Sequence, residues 1–217
     1  MTTAVAISNL ALSHLGDDAS VAQLDPPEGS AQAEHCAMFY PIARDALLEM
    51  YPWNFAMRRA TLALMDEEPV SQWRYGYALP SNVLGVFAVQ GPEDTDDMLS
   101  PHLGPIASIN GLNDFEIEGL ADGTRVLYTN VVDARIRHTV SVTVTTFFPP
   151  LFTVALTYFL ASFLAGPVLK GETGRTVAQA MLNTAMGFMT TARTQDAKQR
   201  RANRVRDAHV APWMGNR

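Results

Sequence analysis

The chain has 217 residues, 47% hydrophobic and 18% charged, enough apolar material for one large domain or two small ones on a shared core, which excludes wholesale disorder. Its single cysteine, Cys36, excludes an intrachain disulfide framework and suits assembly in a reducing cytoplasm. The net charge of −6 is unevenly divided: residues 1–192 hold 9 Lys/Arg against 20 Asp/Glu, and residues 193–217 hold 7 against 2, so a body of −11 carries a tail of +5.

The opening residues, Met1-Thr2-Thr3-Ala4-Val5-Ala6, lack a basic n-region, so no secretory signal is expected. Val5, Ile7, Ala11, Leu12 and Leu15 recur at helical spacing and predict a helix over 4–15, with Gly16 as its C-terminal cap. Asp25-Pro26-Pro27-Glu28-Gly29 signals a loop, after which Ser30 is placed to cap a second helix running to about Met50. The buried face of that helix is expected to hold Ala33, Cys36, Ala37, Tyr40, Ala43, Leu47 and Leu48. Pro41 should kink it, because its ring clashes with the preceding turn.

From residue 57 to 148 the texture changes to short strands. Residues 83–89 form a buried run between turn signals. Phe115-Glu116-Ile117-Glu118 and Arg125-Val126-Leu127-Tyr128-Thr129 flank a turn at 119–123 and predict a hairpin. Val140, Val142 and Val144 alternate with Thr139, Ser141, Thr143 and Thr145, the pattern of a half-buried strand. Glu93-Asp94-Thr95-Asp96-Asp97 and residues 103–113 read as polar connections.

Helices return after Pro149-Pro150. Residues 151–165 are apolar nearly all round, which predicts a buried central helix; at 15 residues the run is shorter than the roughly 20 a bilayer needs, so no membrane span is expected. Gly166-Pro167 predicts a break. A last helix from about Thr173 then lines Val177, Met181, Ala185, Phe188, Met189 and Ala192 on one face and turns basic and polar beyond Ala192.

The expected fold class is therefore α+β. Helices of residues 1–56 and 149–192 complete one bundle, an antiparallel β module of residues 57–148 is inserted between them, and residues 193–217 form a basic helical arm.

Chemical motifs are weak. Gly166-Pro167-Val168-Leu169-Lys170-Gly171-Glu172-Thr173 has the glycine spacing of a phosphate loop, but Glu172 stands where lysine is needed and would repel phosphates. Glu116 and Glu118 share a strand face roughly 7 Å apart, a separation compatible with glycoside cleavage. Alternating acids are more often just a solvated strand face. His14, His35, His102, His138 and His209 show no metal-ligand spacing, so neither catalytic residues, a cofactor nor a metal is expected.

The basic run is the stronger signal: Arg193, Lys198, Arg200, Arg201, Arg204 and Arg206 lie within fourteen residues. Three readings compete for it: a solvated helix end, a docking arm for an acidic protein surface, and a nucleic-acid contact. The acidic body argues against the third. Beyond it, Trp213 in an apolar stretch suits either an anchor in a partner's pocket or a tail folded back on its own core.

Several stretches together resemble tail tubular protein A, the adaptor (gatekeeper) family of short-tailed phages. They are Ala6-Ile7-Ser8-Asn9-Leu10-Ala11-Leu12-Ser13-His14-Leu15-Gly16; Phe39-Tyr40-Pro41-Ile42-Ala43-Arg44-Asp45-Ala46-Leu47-Leu48 followed by Tyr51-Pro52-Trp53-Asn54-Phe55-Ala56; Tyr75-Gly76-Tyr77-Ala78-Leu79-Pro80; Phe115-Glu116-Ile117-Glu118-Gly119; and Phe148-Pro149-Pro150-Leu151-Phe152 followed by Ala155-Leu156. The Pro-Trp-Asn-Phe-Ala junction is the most specific of these, and Tyr40, Leu47, Trp53 and Phe55 are expected in the core. The resemblance spans about residues 6–192; the basic tail matches in character only.

The resemblance implies a structural, non-enzymatic subunit of a virion tail, assembled in the host cytoplasm. About twelve copies would form a ring between the portal and the tail nozzle, through which DNA passes without specific binding. It also implies that the basic arm (Arg193, Lys198, Arg200, Arg201, Arg204, Arg206, with Trp213) grips the portal. The alternative reading is a virion-associated polysaccharide hydrolase of the tail, with carboxylates of the β module as its site.

Overall fold

The computed structural model describes residues 2–66, 72–92 and 114–199. The fold is α+β. Among the described residues, helices α1 (Ala4–His14) and α2 (Ala31–Glu49) precede seven strands, and α3 (Pro150–Leu169) and α4 (Gly171–Gln199) follow them.

Local chemistry fixes the first two helices. The Thr3 side chain accepts from the Ala6 N–H at 3.1 Å and caps α1. At the other end the Gly16 N–H donates to Ser13 O and the Asp17 N–H to Leu12 O, a Schellman closure that requires the positive φ of 75° glycine supplies. Asn9 then holds the following loop, its side chain donating to Val21 O and accepting from Val21 N–H. Ser30 caps α2 by accepting from the Ala33 N–H. The helix continues through Pro41, which lies on its exposed side, where water can meet the carbonyl that the missing N–H leaves.

The strands form two antiparallel sheets. One has the order β1 (Met57–Thr61), β7 (Arg135–Val140), β4 (Val83–Gln90); the other has β2 (Ala63–Leu64), β3 (Tyr75–Ala78), β6 (Arg125–Thr129), β5 (Phe115–Gly119). The chain crosses between sheets at buried Leu62, whose N–H donates to Ala134 O. The β5–β6 hairpin is in the expected place, closed by a turn with Gly123 at φ 86°.

The strand expected from Thr139 lies earlier in the chain. β7 ends at Val140, and Ser141 to Val144 belong to no ladder. Val140 and Val142 do point into the core, but Val144 is exposed and Thr139 is fully buried, so the expected alternation of faces holds only over Val140 to Val142. It cannot report whether a partner strand runs alongside, and here the Ser141 N–H goes instead to Asn82 O.

α3 also departs from expectation. It does not break at Gly166-Pro167 but runs 20 residues to Leu169, and the chain reverses at Lys170 (φ 55°) and Gly171 (φ 59°). The length argument against a membrane span therefore fails: this helix is long and apolar enough to cross a bilayer, with a mean hydropathy of 1.8 over its most apolar window. Half of that window is buried, however, with α1, α2 and α4 packed around the helix, the position of a core helix. Gly174 permits the close approach of α4: a Cβ there would sit 2.9 Å from the Ala165 carbonyl oxygen.

Two hydrophobic clusters result. The larger unites α1, α2, α3 and α4 with Trp53, Val140 and Val142; the smaller lies within the β module around Leu62, Tyr77, Val89, Leu127 and Ile136.

Candidate partner interface at the end of the last helix

The acidic connection Glu93, Asp94, Asp96, Asp97 and the arm residues Arg200, Arg201, Arg204, Arg206 and Trp213 lie outside the described residues. Arg193 and Lys198 are described, near the end of α4. The sequence suggests a helix leaving the body after Ala192; instead its next turn is bound down.

Arg193 Nη2 donates to the Met50 carbonyl at 3.3 Å, and its guanidinium lies 5.6 Å from the centroid of the Tyr51 ring, a cation–π contact. One turn on, Asp196 is only 5% exposed. Its carboxylate accepts from the Asn54 backbone N–H (3.1 Å to Oδ2), and its backbone carbonyl accepts from Asn54 Nδ2 at 2.7 Å. A carboxylate this buried is tolerated only where donors meet it, and Asn54 provides one. Lys198 is exposed.

Residues 50–54 can hold α4 because they are themselves fixed. Trp53 is 1% exposed, its indole N–H donates to Leu47 O at 2.9 Å, and its ring meets Phe152 of α3 edge to face. Phe55 packs on Phe152 and Phe148, and Tyr40 and Leu47 are buried in the same cluster. Tyr40, Leu47 and Trp53 thus lie in the core, as the sequence suggests, while Phe55 is only partly buried and packs against it.

No family model matches this chain, and no curated protein matches it.

A second polar knot ties the helices to the sheets. Arg44, 8% exposed, donates through Nε and Nη2 to both oxygens of Asp45 and through Nη2 to Ser141 Oγ, which in turn donates to Asp45 Oδ1. Ser141 directly follows β7, so this fork fixes where the β module meets α2.

Within the net-acidic body, the β module holds a local cluster of basic residues. Arg59 and Arg137 stand directly opposite each other on β1 and β7, with Arg135 two residues away on the same face. Arg58 faces His138 on the other side of the sheet and donates to the Phe55 and Met57 carbonyls. Average charge concealed this; the Arg-x-Arg spacing at 135–137 was the available signal.

The residues considered for chemistry are dispersed. Glu116 and Glu118 are exposed on β5, the outer strand of its sheet, and Glu116 accepts from Trp73 Nε1 at 2.9 Å. Among the described residues no group of three or more His, Cys, Asp or Glu is placed to hold a metal. Cys36 is fully buried, and burial pushes its thiol up to about 11, so it packs as a small apolar group.

Proposed function

We propose that this chain is a structural ring subunit of a short-tailed phage, seated between portal and tail nozzle, with its basic C-terminal tail docking on an acidic surface of the portal. One observation carries this reading. The stretch that most resembles the adaptor family, Tyr51-Pro52-Trp53-Asn54-Phe55-Ala56, is the stretch that binds the last turns of α4, from which the basic tail continues. The charge division fits it too, because a +5 tail is complementary to an acidic partner surface, and rim charges of this kind steer and orient docking. Copies of the chain would meet head to tail around the ring, as heterologous contacts that close by rotation. Exposed Met38 and Ile42, about one turn apart on α2, are apolar enough for such a contact.

The test is a pull-down at moderate salt with the portal ring encoded in the same genome. Reversing Arg200, Arg201 and Arg204 to Glu is expected to weaken attachment roughly tenfold or more while thermal unfolding stays unchanged. Unaltered attachment rejects the docking arm. Cleavage of cell-wall or capsule polysaccharide that is lost on Glu116→Gln would favour the hydrolase instead, and duplex DNA binding with a steep salt dependence would favour a nucleic-acid contact.

A further inference from the structure

We infer that Asn54 and Asp196 are positioning residues: together with Arg193 and Tyr51 they form a latch that fixes the direction in which the chain leaves α4. This rests on the reading of residues 200–217 as a docking arm. Four observations meet in one place. The apolar face of α4 ends at Ala192, so apolar packing alone gives the next turns no reason to stay on the body. Asp196 is nonetheless buried, with both its carboxylate and its own backbone carbonyl held by Asn54. Arg193, three residues earlier and so on the same side of the helix, reaches back to Met50 O and lies over Tyr51. The receiving residues 50–54 are rigid, because buried Trp53 sits among them.

The two contacts differ in kind. A side-chain amide that donates to a helix carbonyl while its own backbone N–H donates to that residue's carboxylate makes two bonds to one residue. That sets an orientation, where a lone ion pair would set only a distance. The latch bonds also replace packing with polar contacts at the last described turns, which allows the helix to extend beyond the apolar body without fraying at Ala192. For a docking arm the benefit is preorganisation: an arm held in one direction loses less conformational freedom on binding than one swinging from residue 192.

The test uses the full chain with Gln199→Cys carrying a nitroxide; Cys36 is fully buried and does not compete for the label. Asn54→Asp sets a carboxylate against the Asp196 oxygens, and Asn54→Ala removes only the side-chain donor, which covers the case in which the aspartate variant does not fold. In both, the label is expected to gain nanosecond mobility, more in Asn54→Asp, and portal affinity is expected to fall about tenfold in Asn54→Asp. An unchanged line shape overturns the latch. A mobile label with unchanged affinity overturns the positioning role, as does a fall in melting temperature with neither of the other changes. Deletion of residues 200–217 separates the two readings. If that deletion leaves portal binding intact, the docking arm is wrong, and the latch then stands or falls on the label's mobility alone.

Discussion

Trp53 shows how much one residue carries here. Its indole fills the space between α2 and α3, touches Tyr51, Phe55 and Phe152 with its ring, and satisfies the Leu47 carbonyl near the end of α2. Trp53→Ala is expected to cost about 3–5 kcal/mol, read from urea unfolding, because it removes a large buried aromatic and leaves that carbonyl unpaired. A loss below about 1 kcal/mol would mean the ring does not hold this junction. Trp53, Phe55, Tyr40 and Leu47 were legible in the sequence, since large apolar side chains at helical spacing or beside a helix end have few places to go. Asp196 was not. It sits among basic residues and reads as a solvated charge, and its partner Asn54 is 142 residues away, beyond the reach of any local pattern. The contacts of Arg193 with Met50 and Tyr51 were illegible for the same reason.

At the scale of elements, the sequence located the helices well and their junctions poorly. Caps of α1 and α2 depend on side chains within a few residues, so Thr3, Ser30 and Gly16 mark real boundaries. Gly166-Pro167 looks like a stop of the same local kind, yet packing along α3 keeps the helix going until Lys170. β7 was missed over residues 135–138 because arginines and a histidine hide a strand that lies between two others. The α3–α4 contact yields a paired prediction. In an exposed helix Gly→Ala gains about 1 kcal/mol in helix propensity, and a Cβ at Gly187 meets open space, so Gly187→Ala is expected to stabilise by about that much. A Cβ at Gly174 would press on the Ala165 backbone, and overpacking of this sort costs about 1–3 kcal/mol, so Gly174→Ala is expected to destabilise overall. Thermal unfolding of both variants decides it; the same sign for both would mean α4 does not approach α3 this closely.

For the molecule as a whole, the helical part holds a half-buried histidine and the β module a buried one, and the fold disfavours the charged form of each. His14 stacks on Tyr158 at 3.9 Å, and Tyr158 stacks in turn on Phe188, so one row of rings joins α1, α3 and α4; burial lowers the His14 pKa. His138, in the middle strand of the three-stranded sheet, is also lowered, first by burial and further by the charge of Arg58 opposite it, while a backbone hydrogen bond at Ile136 acts the other way. In the unfolded chain both titrate near their ordinary value of about 6.5. Below that pH the unfolded state therefore binds more protons than the native one, and stability must fall with pH. Both histidines stabilise the fold fully above pH 6.5, and that stability is lost as pH drops through their depressed folded values. The melting temperature is accordingly expected to be lower at pH 5.5 than at pH 7.5, and a His14→Gln/His138→Gln double variant should show a smaller difference between the two. An equal difference in the variant would mean that neither ring meets the proton inside the fold, and that acid weakens the protein through its surface.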